Sequence, residues 1–164
     1  MTDRRTNAAI ALAALLTLAS SHSDYAKKLV AQEKKTSEAV RGAGREVDAL
    51  RVVLQAEAQG STQAARRAQC TNNLKQIGLA IHTQARALQD LLAKHDVGKQ
   101  GAEAAGRLAN EGRALSKAAE AFPKSSGPGV TSALEKLAGH TRASETLMKT
   151  VTQQTRQVSI VQDL

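Results

Sequence analysis

The distribution of proline constrains this chain more than any other feature. Only two prolines occur in its 164 residues, and both, Pro123 and Pro128, fall within the stretch PKSSGPG. Because proline interrupts helices, the rest of the chain is free to form long ones, and it is dominated by strong helix formers. Tyr25 and Phe122 are the only aromatic residues, which favours closely spaced helices with an aliphatic core over a β-sandwich. The sequence predicts an all-α fold.

Apolar residues recur at alternating three- and four-residue spacings in four stretches of the chain. The short joint Gln59-Gly60-Ser61 implies that the first two stretches form an antiparallel hairpin. We predict one domain, residues 22–164, that forms an elongated antiparallel bundle with left-handed, coiled-coil-like packing and a shorter third helix. The predicted helices cover about residues 23–58, 62–95, 100–122 and 131–162. Glycines are expected to make the third helix the least stable: Gly101, Gly106 and Gly112.

The N-terminus carries a pattern that suits either export or the first helix. Arg4 and Arg5 precede the apolar run Ala8–Ala19, and Ala19-Ser20-Ser21 offers small residues at which a signal peptidase cuts. The run is too short to span a bilayer comfortably, so we expect no transmembrane anchor. We predict that residues 1–21 are a signal peptide of an exported protein. The alternative is an extension of the first helix in a cytoplasmic protein.

The residue types that carry most enzyme chemistry are few and widely spaced. Cys70 is the only cysteine, which excludes a disulfide within the chain and a four-thiolate zinc site. Cys70 and His82 lie about 18 Å apart along one predicted helix, too far to act as nucleophile and base. We therefore predict no catalytic residues, no metal site, no cofactor and no enzyme activity. Cys70 is expected to be a small apolar side chain, with a reactive thiol or an intermolecular disulfide as the alternative.

Positive charge is concentrated on the second predicted helix. The chain has a formal net charge of +8, and residues 61–95 contain five basic residues against the single acid Asp90. Such a surface can meet phosphates, an anionic membrane or an acidic protein, or simply keep the protein soluble. Without aromatic side chains to stack on bases, specific nucleic-acid recognition is disfavoured. The predicted surface for an anionic partner consists of Arg66, Arg67, Lys75, Arg86 and Lys94.

Polar residues occupy positions of the apolar seam in the first and last helices. Glu33 and Thr36 interrupt the first seam, and Thr141, Ser144 and Thr155 interrupt the last. Such layers predict a core of modest stability, or one whose burial a second copy completes. An alternative prediction is that four of these residues line a small ligand pocket: Glu33, Thr36, Thr141 and Ser144.

One stretch, Ala64–His82, has a sequence pattern characteristic of a protein family: AARRAQCTNNLKQIGLAIH. It resembles the segment that follows the membrane helix in the prepilin-like (pseudopilin-like) proteins abundant in planctomycete bacteria. The resemblance covers 19 of the 164 residues, and the chain has neither the family's Gly-Phe-Thr-Leu-Ile-Glu motif nor its β-rich C-terminal domain. It implies a bacterial origin and a cell-envelope setting, without a pilus function. The matching residues are Ala64, Ala65, Arg66, Arg67, Cys70, Asn72, Asn73, Leu74, Lys75, Gln76, Ile77, Gly78, Leu79, Ala80 and His82.

Three functions follow as predictions from these patterns. The first is a non-enzymatic structural or interaction protein of the bacterial envelope, which binds a protein partner or itself. The second is an exported sensory or ligand-binding bundle that uses the polar seam layers. The third is a cytosolic basic bundle that associates with nucleic acid, with an affinity that falls steeply with salt.

Overall fold

The computed structural model contains four long α-helices, which confirms the all-α prediction. It describes residues 4–56, 62–123 and 127–162, and the side chains of residues 24–56, 63–123, 127 and 129–160. A short 3-10 helix, Asp96–Gly98, joins the second helix to the third. The long helices are α1 (Arg4–Ala56), α2 (Thr62–Leu92), α3 (Lys99–Glu120) and α4 (Pro128–Gln162).

The helix bounds differ from the predicted ones by three residues or more at three places. α1 begins at Arg4 rather than near residue 23, so the backbone of residues 4–21 continues the helix, while their removal as a signal peptide stays a prediction. α2 ends at Leu92 instead of residue 95, because the chain turns there and a Cβ on Gly98 would lie 2.2 Å from the Leu92 carbonyl oxygen. α4 begins earlier than predicted, at Pro128, where a proline fits the first turn of a helix. The joint Gln59-Gly60-Ser61 lies outside the described residues.

Hydrogen bonds between neighbouring helices fix an antiparallel register. Gln32 Nε2 donates to the Gln84 carbonyl at 3.0 Å, and Asn73 Nδ2 donates to Glu46 Oε1 at 3.0 Å, so α1 and α2 run in opposite directions. At one end of this pair the Tyr25 hydroxyl donates to the Leu91 carbonyl.

The antiparallel arrangement of neighbouring helices continues around the bundle. α3 packs between α2 and α4, and α4 closes the ring against α1. His140 of α4 meets Glu111 of α3, with 2.8 Å between Nδ1 and Oε2, and the Thr152 hydroxyl of α4 donates to Glu33 of α1. The predicted antiparallel bundle with a shorter third helix is confirmed; left-handed coiled-coil-like packing stays a prediction.

The core is aliphatic along its whole length. Phe122 is the one aromatic ring that it buries among the described residues, and it lies just after α3. α3 contributes many alanines, which let its neighbours approach closely. The largest fully buried side chains are Leu29, Val40, Leu50, Leu74, Ile81, Leu88, Leu92, Leu108, Leu115, Leu137, Val151 and Val158.

The closest approach in the bundle is between the backbones of α2 and α3. A Cβ on Gly78 would lie 2.7 Å from the Gly112 carbonyl oxygen and 2.7 Å from the Ser116 nitrogen. In return, a Cβ on Gly112 would lie 2.7 Å from the Gly78 carbonyl oxygen and 2.7 Å from the His82 nitrogen. Glycine is therefore required at both positions, and the cost of Gly112 to α3 as an isolated helix is offset by packing.

We expect Gly78→Ala and Gly112→Ala each to lower the free energy of unfolding by about 1–3 kcal/mol, because the added methyl group meets backbone that cannot move aside. Urea denaturation measures the change. Gly139→Ala is the matched control: nothing lies within 4 Å of a Cβ there, so alanine should stabilise α4 by up to about 1 kcal/mol. Equal effects at all three glycines would contradict this account of the α2–α3 contact.

Candidate functional site

Of the five basic residues predicted as one surface, four lie on several sides of α2, and Lys94 follows the end of that helix. Arg66, Arg86 and Lys94 are exposed, Lys75 is half-buried, and Arg67 is buried with 7% of its surface exposed. Because successive residues turn by about 100° around a helix axis, Arg67 lies on the core side, while Arg66 and Arg86 lie on roughly opposite sides. Binding of an anionic partner to this set of residues stays a prediction.

The fold brings Arg67 and Lys75 to one cavity of about 600 Å³ between α2 and α3. Lys75 Nζ donates to Glu120 Oε1 at 2.9 Å. This hydrogen bond, together with the charge of Lys75, holds the pKa of the Glu120 carboxyl below its usual value. Phe122 and Pro123 also line the cavity. Lys75 is therefore already compensated by an acid, which leaves the cavity less positive for an incoming anion.

Cys70, the predicted thiol, lies in the core beside α1. Cys70 is 8% exposed. Asn73, one turn further along α2, donates a hydrogen bond to Glu46 of α1. Burial raises the pKa of the Cys70 thiol, and a hydrogen bond to Glu46 and repulsion by that carboxylate raise it further. Since the thiolate is the nucleophilic form, this environment disfavours the reactive state of Cys70.

His82 also contacts a neighbouring helix. Its Nδ1 lies 2.9 Å from the Ala109 carbonyl oxygen, and its Nε2 lies 3.1 Å from the guanidinium of Arg113. This pattern suits an imidazole that donates from Nδ1 and accepts at Nε2. Together with Cys70 and Gly78, His82 gives the Ala64–His82 stretch a role in packing α2 against α1 and α3.

A different surface, which the sequence analysis did not assemble, lies between α1 and α4. Two adjoining cavities of about 580 and 670 Å³ occupy it and share five lining residues. We call this surface the α1–α4 groove, and its shared residues are Ser37, Arg41, Thr152, Arg156 and Ile160. Among the neighbouring long helices of the described structure, the groove follows the pair that packs least extensively.

Basic side chains line the α1–α4 groove. Lys34 and Arg41 come from α1, Lys149 and Arg156 come from α4, and all four are exposed. Among the described residues, none of the four makes an ion pair or a side-chain hydrogen bond. Charge counted helix by helix missed this set, because it forms only when two helices far apart in sequence pack together. The seven-residue spacing within each pair, which keeps both cations on one face, could have indicated it.

The predicted polar seam lies at the same interface, and its hydroxyls differ in their partners. The Thr36 hydroxyl donates to the Gln32 carbonyl, and the Thr141 hydroxyl donates to the Leu137 carbonyl, in each case one turn earlier in the helix. Ser144 and Thr155, which are 0% and 3% exposed, have side-chain oxygens without a partner in the described structure.

The prediction that the seam lines a pocket applies unequally to its residues. Glu33 lines the groove, where its carboxylate accepts a hydrogen bond of 2.6 Å from the Thr152 hydroxyl. Thr155, a seam residue that the pocket prediction did not include, lines the groove as well. Thr36, Thr141 and Ser144 are buried in the bundle beside it.

A further cavity of about 690 Å³ lies on the same α1–α4 face, nearer the C-terminal end of α1. It is lined by apolar residues of both helices, Leu54, Val130 and Leu134, and by Arg51 and Arg142. Arg51 is paired with Asp48 at 2.9 Å. The α1–α4 interface is therefore open along much of the bundle.

No group of three or more His, Cys, Asp or Glu side chains is arranged to hold a metal ion in the part of the chain that the structure describes. Nor do the described residues include a helix with an apolar stretch long enough to cross a membrane.

We expect Thr155→Val to raise the free energy of unfolding by about 1 kcal/mol, because the substitution removes a buried hydroxyl that has no partner. Urea denaturation checks this value. Thr36→Val is the matched control on the facing helix: it removes a satisfied hydroxyl and should lower the stability by about 0.5–1 kcal/mol. Destabilisation by Thr155→Val to the same extent would show that its hydroxyl is bonded in the native state.

We expect Cys70 in the folded protein to react with a thiol reagent at pH 8 at least about tenfold more slowly than in urea, because burial both shields the thiol and keeps it protonated. The reaction with Ellman's reagent measures the rate. Gln153→Cys, which places a second thiol on the exposed face of α4, supplies a fast-reacting control in the same molecule. Equal rates for both thiols would contradict the described position of Cys70.

Comparison with known proteins gives one match, limited to part of α2 and the residues before it. A family model described as "Protein of unknown function (DUF1559)" matches residues 59–91. This span includes all of Ala64–His82, which confirms a family resemblance limited to this segment. No curated protein and no solved structure matches the chain.

Proposed function

We propose that this protein is a non-enzymatic interaction module of the bacterial cell envelope, which binds a partner in the α1–α4 groove. The observation that carries the proposal is the combination of exposed, unpaired cations along the groove with a buried, unpartnered hydroxyl at Thr155. Both features favour contact with a polar partner.

The energetics of the seam support a binding role. A buried hydroxyl without a hydrogen bond costs about 1–3 kcal/mol relative to a satisfied one, and an aliphatic side chain at Thr155 would avoid that cost. Proteins commonly retain destabilising groups where they bind or act. The α2–α3 interface, by contrast, has backbones in direct contact at Gly78 and Gly112 and leaves no comparable opening there.

The residues suited to chemistry support a non-enzymatic role because packing occupies them. The Cys70 thiol is buried with a raised pKa, and both ring nitrogens of His82 contact α3. An envelope setting is supported by the apolar run Ala8–Ala19 behind two arginines and by the resemblance of Ala64–His82 to prepilin-like proteins.

A small-molecule ligand is the second candidate. Cavities of about 580 and 670 Å³ fall within the range of small-ligand sites, and Arg41 with Arg156 suits an anionic group. Such a ligand would raise the melting temperature as its concentration exceeds its Kd. The nucleic-acid alternative gains no support, because the basic residues of α2 lie on different sides of the helix.

Site-directed photo-crosslinking tests the proposal. We expect the Gln153→Cys variant, labelled at its exposed thiol with benzophenone maleimide, to form a discrete adduct when irradiated with envelope extract of the source bacterium. Gln153 lines the groove, so a bound partner brings its own side chains within reach of the probe. Gel electrophoresis followed by mass spectrometry identifies the adduct, and an adduct of twice 17.3 kDa identifies self-association.

Asn110→Cys is the matched control, because Asn110 is also an exposed amide side chain but lies on α3. It should give no corresponding adduct, and cytosolic extract should give none with either variant. Identical products from both positions, or none from Gln153→Cys, would refute a binding role for the α1–α4 groove. A specific adduct from cytosolic extract alone would refute the envelope setting.

A further inference from the structure

Resting on the proposed function, we infer that the α1–α4 groove binds an acidic amphipathic helix of a protein partner. The inference follows from the shape of the groove, its exposed apolar residues and the sign of its charge. Each of these restricts the kind of molecule that fits.

The shape favours a helix. The α1 residues that line the two cavities extend from Val30 to Arg41, and residues of the antiparallel α4 line the opposite side. At 1.5 Å per residue this span is about 16 Å, or about three turns of an α-helix. A linear groove between two helices is a common receptor for a third amphipathic helix.

Apolar residues occur where such a helix would lay its apolar face. Val30 and Ile160 are 49% and 61% exposed, although both are aliphatic, and both line the groove near one end. Further along, the nearly buried side chains of Val40 and Met148 contribute to the lining. Apolar side chains spaced three and four residues apart on a partner helix would cover these positions.

The charge of the groove selects acidic flanks for that helix. Lys34, Arg41, Lys149 and Arg156 lack ion pairs in the described structure. Arginine binds a carboxylate through two parallel hydrogen bonds, which gives geometric specificity as well as attraction. Of the acids that line the same cavities, Glu33 already accepts a hydrogen bond from Thr152, which leaves Glu145. Four cations against these two acids favour a negatively charged partner.

The buried hydroxyl at Thr155 gives the groove a polar contact that is separate from its charged residues. Its oxygen has no partner, yet Thr155 is 3% exposed and lines the cavity. Because this oxygen exposes less than 1 Å² of surface, a carboxylate or amide side chain of the partner helix can accept its hydrogen only when the side chains that cover it move aside.

Charge also argues against a second copy of this chain as the occupant. The chain carries a net charge of +8, and a symmetric pairing through this groove would bring the four groove cations of one copy close to those of the other. Like charges that face each other across an interface cost several kcal/mol as an order of magnitude. An acidic helix from a different protein avoids this repulsion.

The test uses the full-length protein and a fluorescein-labelled peptide made of three repeats of Leu-Glu-Glu-Leu-Leu-Glu-Glu. Fluorescence anisotropy should show saturable binding of this peptide. A scrambled peptide of the same composition, which cannot align its leucines on one face, should bind at least about tenfold more weakly. Arg41→Glu combined with Arg156→Glu should weaken binding at least about tenfold. It should also create binding to the corresponding Leu-Lys peptide, which the unmodified protein should not bind.

Arg86→Glu combined with Arg107→Glu is the matched control, because it reverses two exposed arginines on α2 and α3 and should leave binding unchanged. Circular dichroism verifies that both double variants fold. Three results would overturn the inference: no binding of the amphipathic peptide, equal binding of the scrambled peptide, or loss of binding only in the Arg86/Arg107 variant. If the protein bound vesicles that contain roughly one third anionic lipid but did not bind the peptide, the inference would be overturned in favour of a membrane surface.

This test and the crosslinking experiment fail independently. A groove-specific adduct in the envelope extract without peptide binding would preserve the interaction module and reject an acidic helix as its partner. Without either result, both proposals fall.

Discussion

The direct backbone contact between α2 and α3 at Gly78 and Gly112 is the constraint on which the rest of the bundle depends. Because neither glycine has a Cβ, the two helices approach so closely that a Cβ added at either position would meet backbone atoms of the facing helix. This pair packs most extensively in the described structure, and the diametrically placed pair α1 and α4 packs least extensively among the neighbouring helices. Glycines thus bring the backbones of α2 and α3 into contact at one level of the bundle, while the opposite side carries the α1–α4 groove.

The two sides contribute differently to stability. On the α2–α3 side, alanine and glycine allow leucines such as Leu74 and Leu115 to be fully buried, and burial of aliphatic surface is the main favourable term in folding. On the α1–α4 side, part of the core volume goes to Thr155 and Ser144, which contribute no hydrogen bond there. Half of the largest fully buried side chains lie on α1 and α4, so both sides of the bundle bury aliphatic surface, and the unpartnered hydroxyls lower the stability of the α1–α4 side.

Much of the fold was predictable because it depends on short-range patterns. Apolar spacing located the four helices, and the rarity of proline and aromatic residues indicated their class. Boundaries were less predictable where a tertiary contact decides them: α2 stops at Leu92 because the turn to α3 brings Gly98 against the Leu92 carbonyl. The candidate site was predictable only in part. The polar seam residues were recognisable on their own helices, but Arg41 and Arg156 share a groove only because α1 and α4 are packed side by side.

The sequence by itself determined the helices, their order and the presence of an aliphatic seam on each, because these follow from proline placement and from periodicity within one segment. Tertiary structure alone decided which side of each helix is free. It buried Arg67, although this residue belongs to a basic run, and it paired Lys75 with Glu120. It left the four cations that line the α1–α4 groove without ion pairs in the described structure. The physical reason is that exposure and charge pairing depend on atoms far apart in the chain, and no local pattern records how closely two helices approach.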